Sequence, residues 1–319
     1  MIKIKTAKIF LAAIIILAYS LASWAGSADE NFHSKSKSDT QARAKIFRPD
    51  KSSDEELNTL INESINKFQV KTFSDDITGK SIQYNICFPD DYSTDKKFPV
   101  IFFIADASAA GEPSDFSIRQ GYGALVWEKY KCVVIVPFYP EVILGDHNGF
   151  KVSDYVNLTK RFITHAINHY SIDKSRVYAT GQSMGCMTLL LLAANNPDLF
   201  TACLFVSGQW DIKELNGLES QKFIYITSAG DDKASAGQRE VMDMFRRDNI
   251  KFDSFSNVDA KNPDLTLNKS QAHTFITFRQ GSTLPALTEG QVQYSEHMSS
   301  FDYAYRIQAL RDWLFAQGK

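Results

Sequence analysis

A serine with glycines two residues before and two after it, Gly181-Gln182-Ser183-Met184-Gly185, stands between the extended run Arg176-Val177-Tyr178-Ala179-Thr180 and an apolar run from Met187 to Ala194. That order reads as strand, sharp turn and helix, with a hydroxyl at the apex. It is the arrangement acyl transfer needs, because a serine hydroxyl is a weak nucleophile and must stand clear of the sheet where a histidine can take its proton. Gly181 and Gly185 make room for the close approach of strand and helix. The N–H of Met184, at the start of the helix, then points at the oxyanion that develops on an attacked carbonyl. As a bare pattern the pentapeptide arises by chance in many chains, and the competing reading is a glycine-rich turn around a buried structural serine. The strand before it and the long apolar helix after it favour the nucleophile.

The base that such a serine requires is a histidine, and the chain has six. His33 falls in a polar stretch near the start. His165 and His169 are one turn apart in a helical segment; the spacing could bind a metal, but no nearby carboxylate motif supports it. His273 opens a strand-like run to Phe278, and His147 lies in a loop after a strand, where it could line a pocket. His297 is the preferred base: it sits in a loop downstream of every strand and just before the last helix, which fits the chain order serine, acid, histidine. For the acid, Asp231 and Asp232 directly follow the apolar strand Phe223 to Thr227, and a carboxylate there could accept the histidine Nδ1–H and stabilise the imidazolium. Asp231 is preferred, with Asp232 and Asp211 as alternatives; turn chemistry alone would also account for Gly-Asp-Asp.

The elements that must hold these groups alternate. An amphipathic helix is expected from Asp54 to Phe68, then strands Val70 to Phe73 and Ser81 to Phe88 around a hairpin turn. Next come a strand Phe98 to Ile104, apolar throughout and buried on both faces, a helix around Gly123 to Tyr130, a strand Cys132 to Pro137 and a helix Ser153 to Tyr170. After the serine turn and its helix, which Asn195-Asn196-Pro197 stops, follow strands Ala202 to Ser207 and Phe223 to Thr227, a helix around Gln238 to Arg247, and a last helix from Phe301 to Gln317. This is an α/β pattern: a mostly parallel central sheet with helices on both faces and an N-terminal antiparallel hairpin. Working residues in such a sheet collect on loops beyond the carboxyl ends of the strands. Trp210, Trp127, Gln182 and His147 are candidates for pocket walls, and the loops Tyr139 to Lys151 and Val258 to Gly290 are long enough to act as lids.

The stretch from about Lys80 to Gln317 resembles the α/β-hydrolase superfamily, in the branch of secreted esterases that includes polyhydroxybutyrate depolymerases and feruloyl or acetyl-xylan esterases, together with prolyl-oligopeptidase-like peptidases. Four signatures carry the resemblance: Ile172-Asp173-Lys174-Ser175-Arg176-Val177-Tyr178 leading into the serine turn, Pro197-Asp198-Leu199-Phe200 after its helix, Gly230-Asp231-Asp232, and His297-Met298-Ser299-Ser300-Phe301-Asp302-Tyr303-Ala304-Tyr305 with Asp312-Trp313-Leu314 beyond. The resemblance implies an α/β-hydrolase fold and a Ser183, Asp231, His297 triad. One departure stands out. Where the family usually has His-Gly with further glycines after the first buried parallel strand, this chain has Ala105-Asp106-Ala107-Ser108-Ala109. Backbone N–H groups of Asp106 and Ala107 can still complete an oxyanion hole with Met184, but the Asp106 carboxylate would repel the developing charge unless it turns away.

Composition and address complete the expectations. The 319 residues, 44% hydrophobic and 23% charged, suit one α/β domain with a sizeable core, and a net charge of -2 with scattered basic residues gives no footprint for nucleic acid. Lys3, Lys5 and Lys8, the apolar run Ile9 to Leu21 and Ser23-Trp24-Ala25 read as a secretory signal (1–25) cleaved near Ala25, followed by a flexible polar tether (26–53) and the folded domain (54–319). The membrane is then met only through the signal before cleavage, and the product is periplasmic or secreted. Cys87, Cys132, Cys186 and Cys203 lack metal-type spacing and read as buried free thiols, with no metal and no cofactor expected. The expected activity is hydrolysis of a carboxylic ester, small or polymeric. The alternatives are a serine peptidase of the prolyl-oligopeptidase-like type, and a catalytically silent hydrolase fold, for which Asp106 is the motive.

Overall fold

The computed structural model describes residues 51–147, 149–285 and 295–319. The expected signal peptide, its cleavage point, His33 and nearly all of the tether lie outside the described residues.

The described residues open on α1 (Glu55–Ser64), whose first turn is capped by Asp54, and continue through a 3₁₀ turn to Lys67. Strands β1 (Gln69–Ser74) and β2 (Ser81–Cys87) form the antiparallel hairpin. The buried carboxylate of Asp75 fastens its turn: Arg161 grips it with two hydrogen bonds of 2.8 Å, and Thr78 adds two more, so the carboxyl is held well below its usual range despite burial. Then come β3 (Phe98–Ile104), β4 (Val133–Phe138) and a small hairpin of β5 (Leu144–Gly145) and β6 (Lys151–Val152). These are followed by α2 (Asp154–His169), β7 (Ile172–Gln182), α3 (Met184–Asn195), β8 (Ala202–Val206) and β9 (Phe223–Ser228). The chain ends with α4 (Asp232–Arg247), β10 (Asp253–Val258), β11 (His273–Phe278), α5 (Glu296–Arg306) and α6 (Gln308–Phe315).

Among the described residues nine strands make one sheet in the order β1-β2-β4-β3-β7-β8-β9-β11-β10. The pairs of β2 with β1 and β4 are antiparallel, and every later pair is parallel. The central strands β3, β8 and β9 are buried along their whole length, which is why they read as continuous apolar runs. One apolar layer packs α2, α3 and α4 on one face, and a second packs α1, α5 and α6 on the other. The α/β-hydrolase fold is the architecture of this chain.

Several local expectations are corrected. The helix around Gly123 to Tyr130 is instead a pair of 3₁₀ turns, Tyr122–Ala124 and Glu128–Tyr130. The Trp127 indole N–H takes the Gly123 carbonyl at 2.6 Å, and a Cβ at Gly123 would lie 2.3 Å from the Phe103 ring, so close packing decides this segment over helix propensity. The single last helix is two, starting at Glu296 and broken at Ile307. Helix α4 starts at Asp232, a turn and a half before Gln238, because Asp231 caps it. Strand β10 was not anticipated; it is a sheet edge with mostly polar residues. The stretch Val258 to Gly290 is no simple lid, since β11 lies inside the sheet; 286–290 fall outside the described residues. Lys51, placed in the tether, pairs with Asp302 of α5 and donates to the Gln120 carbonyl at 2.8 Å.

Helix α3 approaches β3 too closely for any side chain to stand between them. A Cβ at Gly185 would sit 1.9 Å from the Ile104 carbonyl oxygen, and one at Gly181 would meet the Gly185 backbone at 2.6 Å. Both obstacles are backbone, which cannot rotate aside. Gly185→Ala is therefore expected to destabilise the domain by about 3 kcal/mol or more, read as a lower midpoint in urea; an unchanged midpoint would contradict this packing.

Candidate active site

Ser183 joins β7 directly to α3. Its backbone has φ 50° and ψ −116°, a region that a residue with a Cβ enters only when its surroundings force it. They do: the Ser183 N–H donates to Val206 at 3.0 Å, its carbonyl accepts from Met187 at 2.9 Å, and the sheet and the buried helix fix both flanks. Met184 opens α3, and first-turn N–H groups have no intrahelical carbonyl to bond.

The His297 Nε2 lies 2.8 Å from Ser183 Oγ, and its Nδ1 lies 2.5 Å from Asp231 Oδ2. A carboxylate can only accept at Nδ1, so Nδ1 carries the proton and the Nε2 lone pair faces the serine hydroxyl. Asp231, 7% exposed, stands just past β9, and its other oxygen accepts from Ala234 N–H at 3.3 Å. Burial alone would lower the His297 pKa. The hydrogen bond and charge of Asp231, with the fields of Asp106 and Asp146, outweigh it and raise the pKa above that of free histidine.

His297 is placed in the first turn of α5 rather than in a loop. The helix is pinned on both sides of it. Glu296 accepts from Ser228 Oγ and from Gly281 N–H at 2.7 Å. Ser300 Oγ donates to the His297 carbonyl at 2.9 Å and meets Ser207 Oγ at 2.7 Å. The Phe301 ring stands edge-on to the imidazole, 5.1 Å between centroids. Asp232 and Asp211 do not meet the imidazole. Asp232 is an exposed residue opening α4, and Asp211 caps the 3₁₀ turn Ile212–Glu214 through Lys213 N–H.

The Asp106 side chain is enclosed by donors. Its carboxylate is 2% exposed and accepts from Ser108 N–H at 2.9 Å, Gln182 Nε2 at 2.8 Å, Ser108 Oγ and Gln120 Nε2. The charge that the sequence sets beside the oxyanion loop is thus met by four donors.

The pocket candidates fare differently. Trp127 and Trp210 are core residues, 0% and 2% exposed, and Gln182 is spent on Asp106, so none of the three is a free wall. His147 is 63% exposed beside Asp146 and Lys233, in the segment joining β5 and β6. Asp146 there accepts from Gln209 Nε2 at 2.5 Å and Lys233 Nζ at 2.9 Å. The other histidines lie elsewhere: His165 and His169 stack on each other on α2, and His273 begins β11, at the end of the sheet away from Ser183. Among the described residues no group of three His, Cys, Asp or Glu side chains could hold a metal ion. The four cysteines are free, and burial pushes the Cys87 thiol up to about 11 and the other three further. Sequence reasoning missed Glu296, Asp146, Gln120 and Ser108. Glu296 beside His297, Asp146 beside His147 and Ser108 beside the Asp106–Ala107 stretch carried a positional signal, and Gln120 carried none.

The profile of the prolyl oligopeptidase family matches residues 139–287, which include Ser183 and Asp231. No curated protein sequence matches the chain. Among solved structures, a thermostable esterase superposes with a TM-score of 0.64 at 20% identity, over 80% of this chain and 64% of that one, so this chain spans somewhat under two thirds of that protein. A ferulic acid esterase follows at TM-score 0.52 and 12% identity, covering 78% and 98% of the two chains. The feruloyl esterase module from Clostridium thermocellum, complexed with sinapinate, gives 0.50 and 12%, over 78% and 87%. These likenesses agree with the fold described above, and the profile covers just under half of the chain.

The raised pKa has a sign that can be checked. Imidazole acts as a base only when Nε2 is unprotonated, so base function is lost as pH falls through the His297 pKa. In a ¹⁵N-histidine NMR titration, His297 is expected to titrate above about 6.5 and to drop in Asp231→Asn, where burial remains and the carboxylate charge does not. A wild-type value at or below that of free histidine would contradict the arrangement.

Proposed function

We propose that this chain is an exported serine hydrolase that cleaves carboxylic esters through an acyl-enzyme. One observation carries the reading: the hydrogen-bonded line from Ser183 Oγ through the His297 imidazole to Asp231, at a strained strand-to-helix turn. His297 Nε2 takes the serine proton as Oγ attacks the ester carbonyl, and Asp231 stabilises the imidazolium. The N–H of Met184 and one from the Asp106–Ala107 stretch hold the oxyanion, and the imidazolium returns the proton to the departing alcohol. A water then repeats the cycle with His297 as base, releasing the acid and freeing Ser183.

The substrate is proposed as an ester, small or polymeric, because the structural relatives named above are esterases. The prolyl oligopeptidase match favours a second reading, peptide hydrolysis, which needs stronger protonation of an amine leaving group. Export rests on the basic and apolar N-terminal stretch from Lys3 to Leu21 and on the small residues Ser23 and Ala25. Neither a cofactor nor a nucleic acid enters the proposal.

Ser183→Ala is expected to lower hydrolysis of short nitrophenyl esters on the order of 10⁴-fold or more. Undiminished turnover in that variant would refute the mechanism. Paired rates on an ester and the matching anilide separate the two substrate readings, the ester being faster if the proposal holds. N-terminal sequencing of the exported protein is expected to begin at Gly26, and a start at Met1 would remove the cleavage.

A further inference from the structure

Asp106 follows β3 at the point where Ile104 pairs with Gly181, two residues before the nucleophile. A carboxylate 2% exposed is costly to bury unless its charge is met. Among the described residues no lysine or arginine pairs with it. Four N–H and O–H donors surround it instead, from three separate segments: the 3₁₀ turn Ala107–Ala109, Gln120, and Gln182 beside Ser183. Gln120 Nε2 also approaches Ser108 Oγ at 3.0 Å, while its Oε1 is buried without a partner. Flipping that amide would aim its oxygen at the Asp106 carboxylate. The orphaned oxygen is thus the consequence of a charge that dictates how its neighbours face.

We propose that the Asp106 carboxylate is a positioning residue that ties the oxyanion loop to the serine turn. It caps the turn containing Ala107, and through Gln182 it grips the residue immediately before Ser183. The two backbone donors assigned to the oxyanion, from Met184 and from the Asp106–Ala107 stretch, are thereby held in one frame. An aspartate at this place, with its donors, does what a glycine-rich loop does by backbone shape alone.

The same charge reaches His297. The charged groups that favour its protonated form are Asp231, Asp106 and Asp146. Lys233 faces Asp146, and Glu296 is turned to Ser228 and Gly281. Lys51 lies behind Gln120, on its carbonyl and on Asp302. Asp106 therefore adds to the negative field of Asp231 and Asp146 that favours the imidazolium formed during attack.

The inference rests on the hydrolase reading, and its test separates the two. In Asp106→Asn, kcat for a nitrophenyl ester is expected to fall about 10- to 100-fold with KM within about twofold. The acid limb of the kcat/KM profile is expected to move to lower pH, because one anion favouring the imidazolium is gone. Gln182→Met should lower kcat in the wild-type background, leave the acid limb in place, and add little to Asp106→Asn, since the contact that Gln182 makes with the Asp106 charge is already lost there. If Asp106→Asn does not accumulate as folded protein, Gln182→Met alone decides: a lowered kcat at constant KM supports the proposal, and an unchanged kcat overturns it. A folded Asp106→Asn with a lower Tm but wild-type kcat and an unmoved acid limb would reduce Asp106 to a structural residue. A wild-type protein without turnover sinks the hydrolase reading and this inference with it. A wild type that turns over beside an unaltered Asp106→Asn sinks this inference alone.

Discussion

The contact on which the site depends is between two backbones. Helix α3 enters the sheet so closely that only a hydrogen fits between Gly185 Cα and the Ile104 carbonyl, and the chain linking β7 to that helix has no relaxed path left. Ser183 accepts the strain, with φ 50°. The result is a hydroxyl thrust above the carboxyl ends of the strands and a helix N-terminus beside it. The parallel sheet supplies the stiffness: β3, β7 and β8 lie side by side, and their hydrogen bonds cannot lengthen to relieve one turn.

Around that fixed hydroxyl the protein has arranged carboxylates, each with a separate tether. Asp231 caps α4 and Asp146 is held by Gln209 and Lys233, while Asp106 is enclosed by amides and hydroxyls. None of them points at Ser183, and all three favour a protonated His297. The helix that carries the histidine is fixed by Glu296 on one side and by Ser300 with Ser207 on the other. The imidazole therefore sits in a negative field without freedom to swing toward it, which is the preorganisation that proton transfer from a serine requires.

Much of this was legible in the residues themselves. The serine turn announced itself because three constraints coincide in five residues, and the buried parallel strands did so because burial on both faces leaves an unbroken apolar run. Chain order relative to the strands pointed to His297, though to a loop rather than a helix, and to Asp231 with Asp232 and Asp211 left open. What could not be read was set by tertiary packing: the 3₁₀ turns around Trp127, the early start of α4 in a run that looks like a loop, and the polar edge strand β10. The orientation of the Asp106 side chain is the sharpest case. Its sequence neighbours suggested repulsion at the oxyanion, whereas Gln120 and Gln182, distant in sequence, meet the carboxylate with amide donors.

The account stands or falls on whether Ser183 is the activated nucleophile, and covalent labelling asks this directly. A fluorophosphonate reacts with a serine whose proton is being withdrawn, and peptide mapping then locates the adduct. The expected result is a single adduct on the peptide carrying Ser183, abolished in His297→Gln. Absence of any adduct on the folded protein, or an adduct on a different serine, would contradict it.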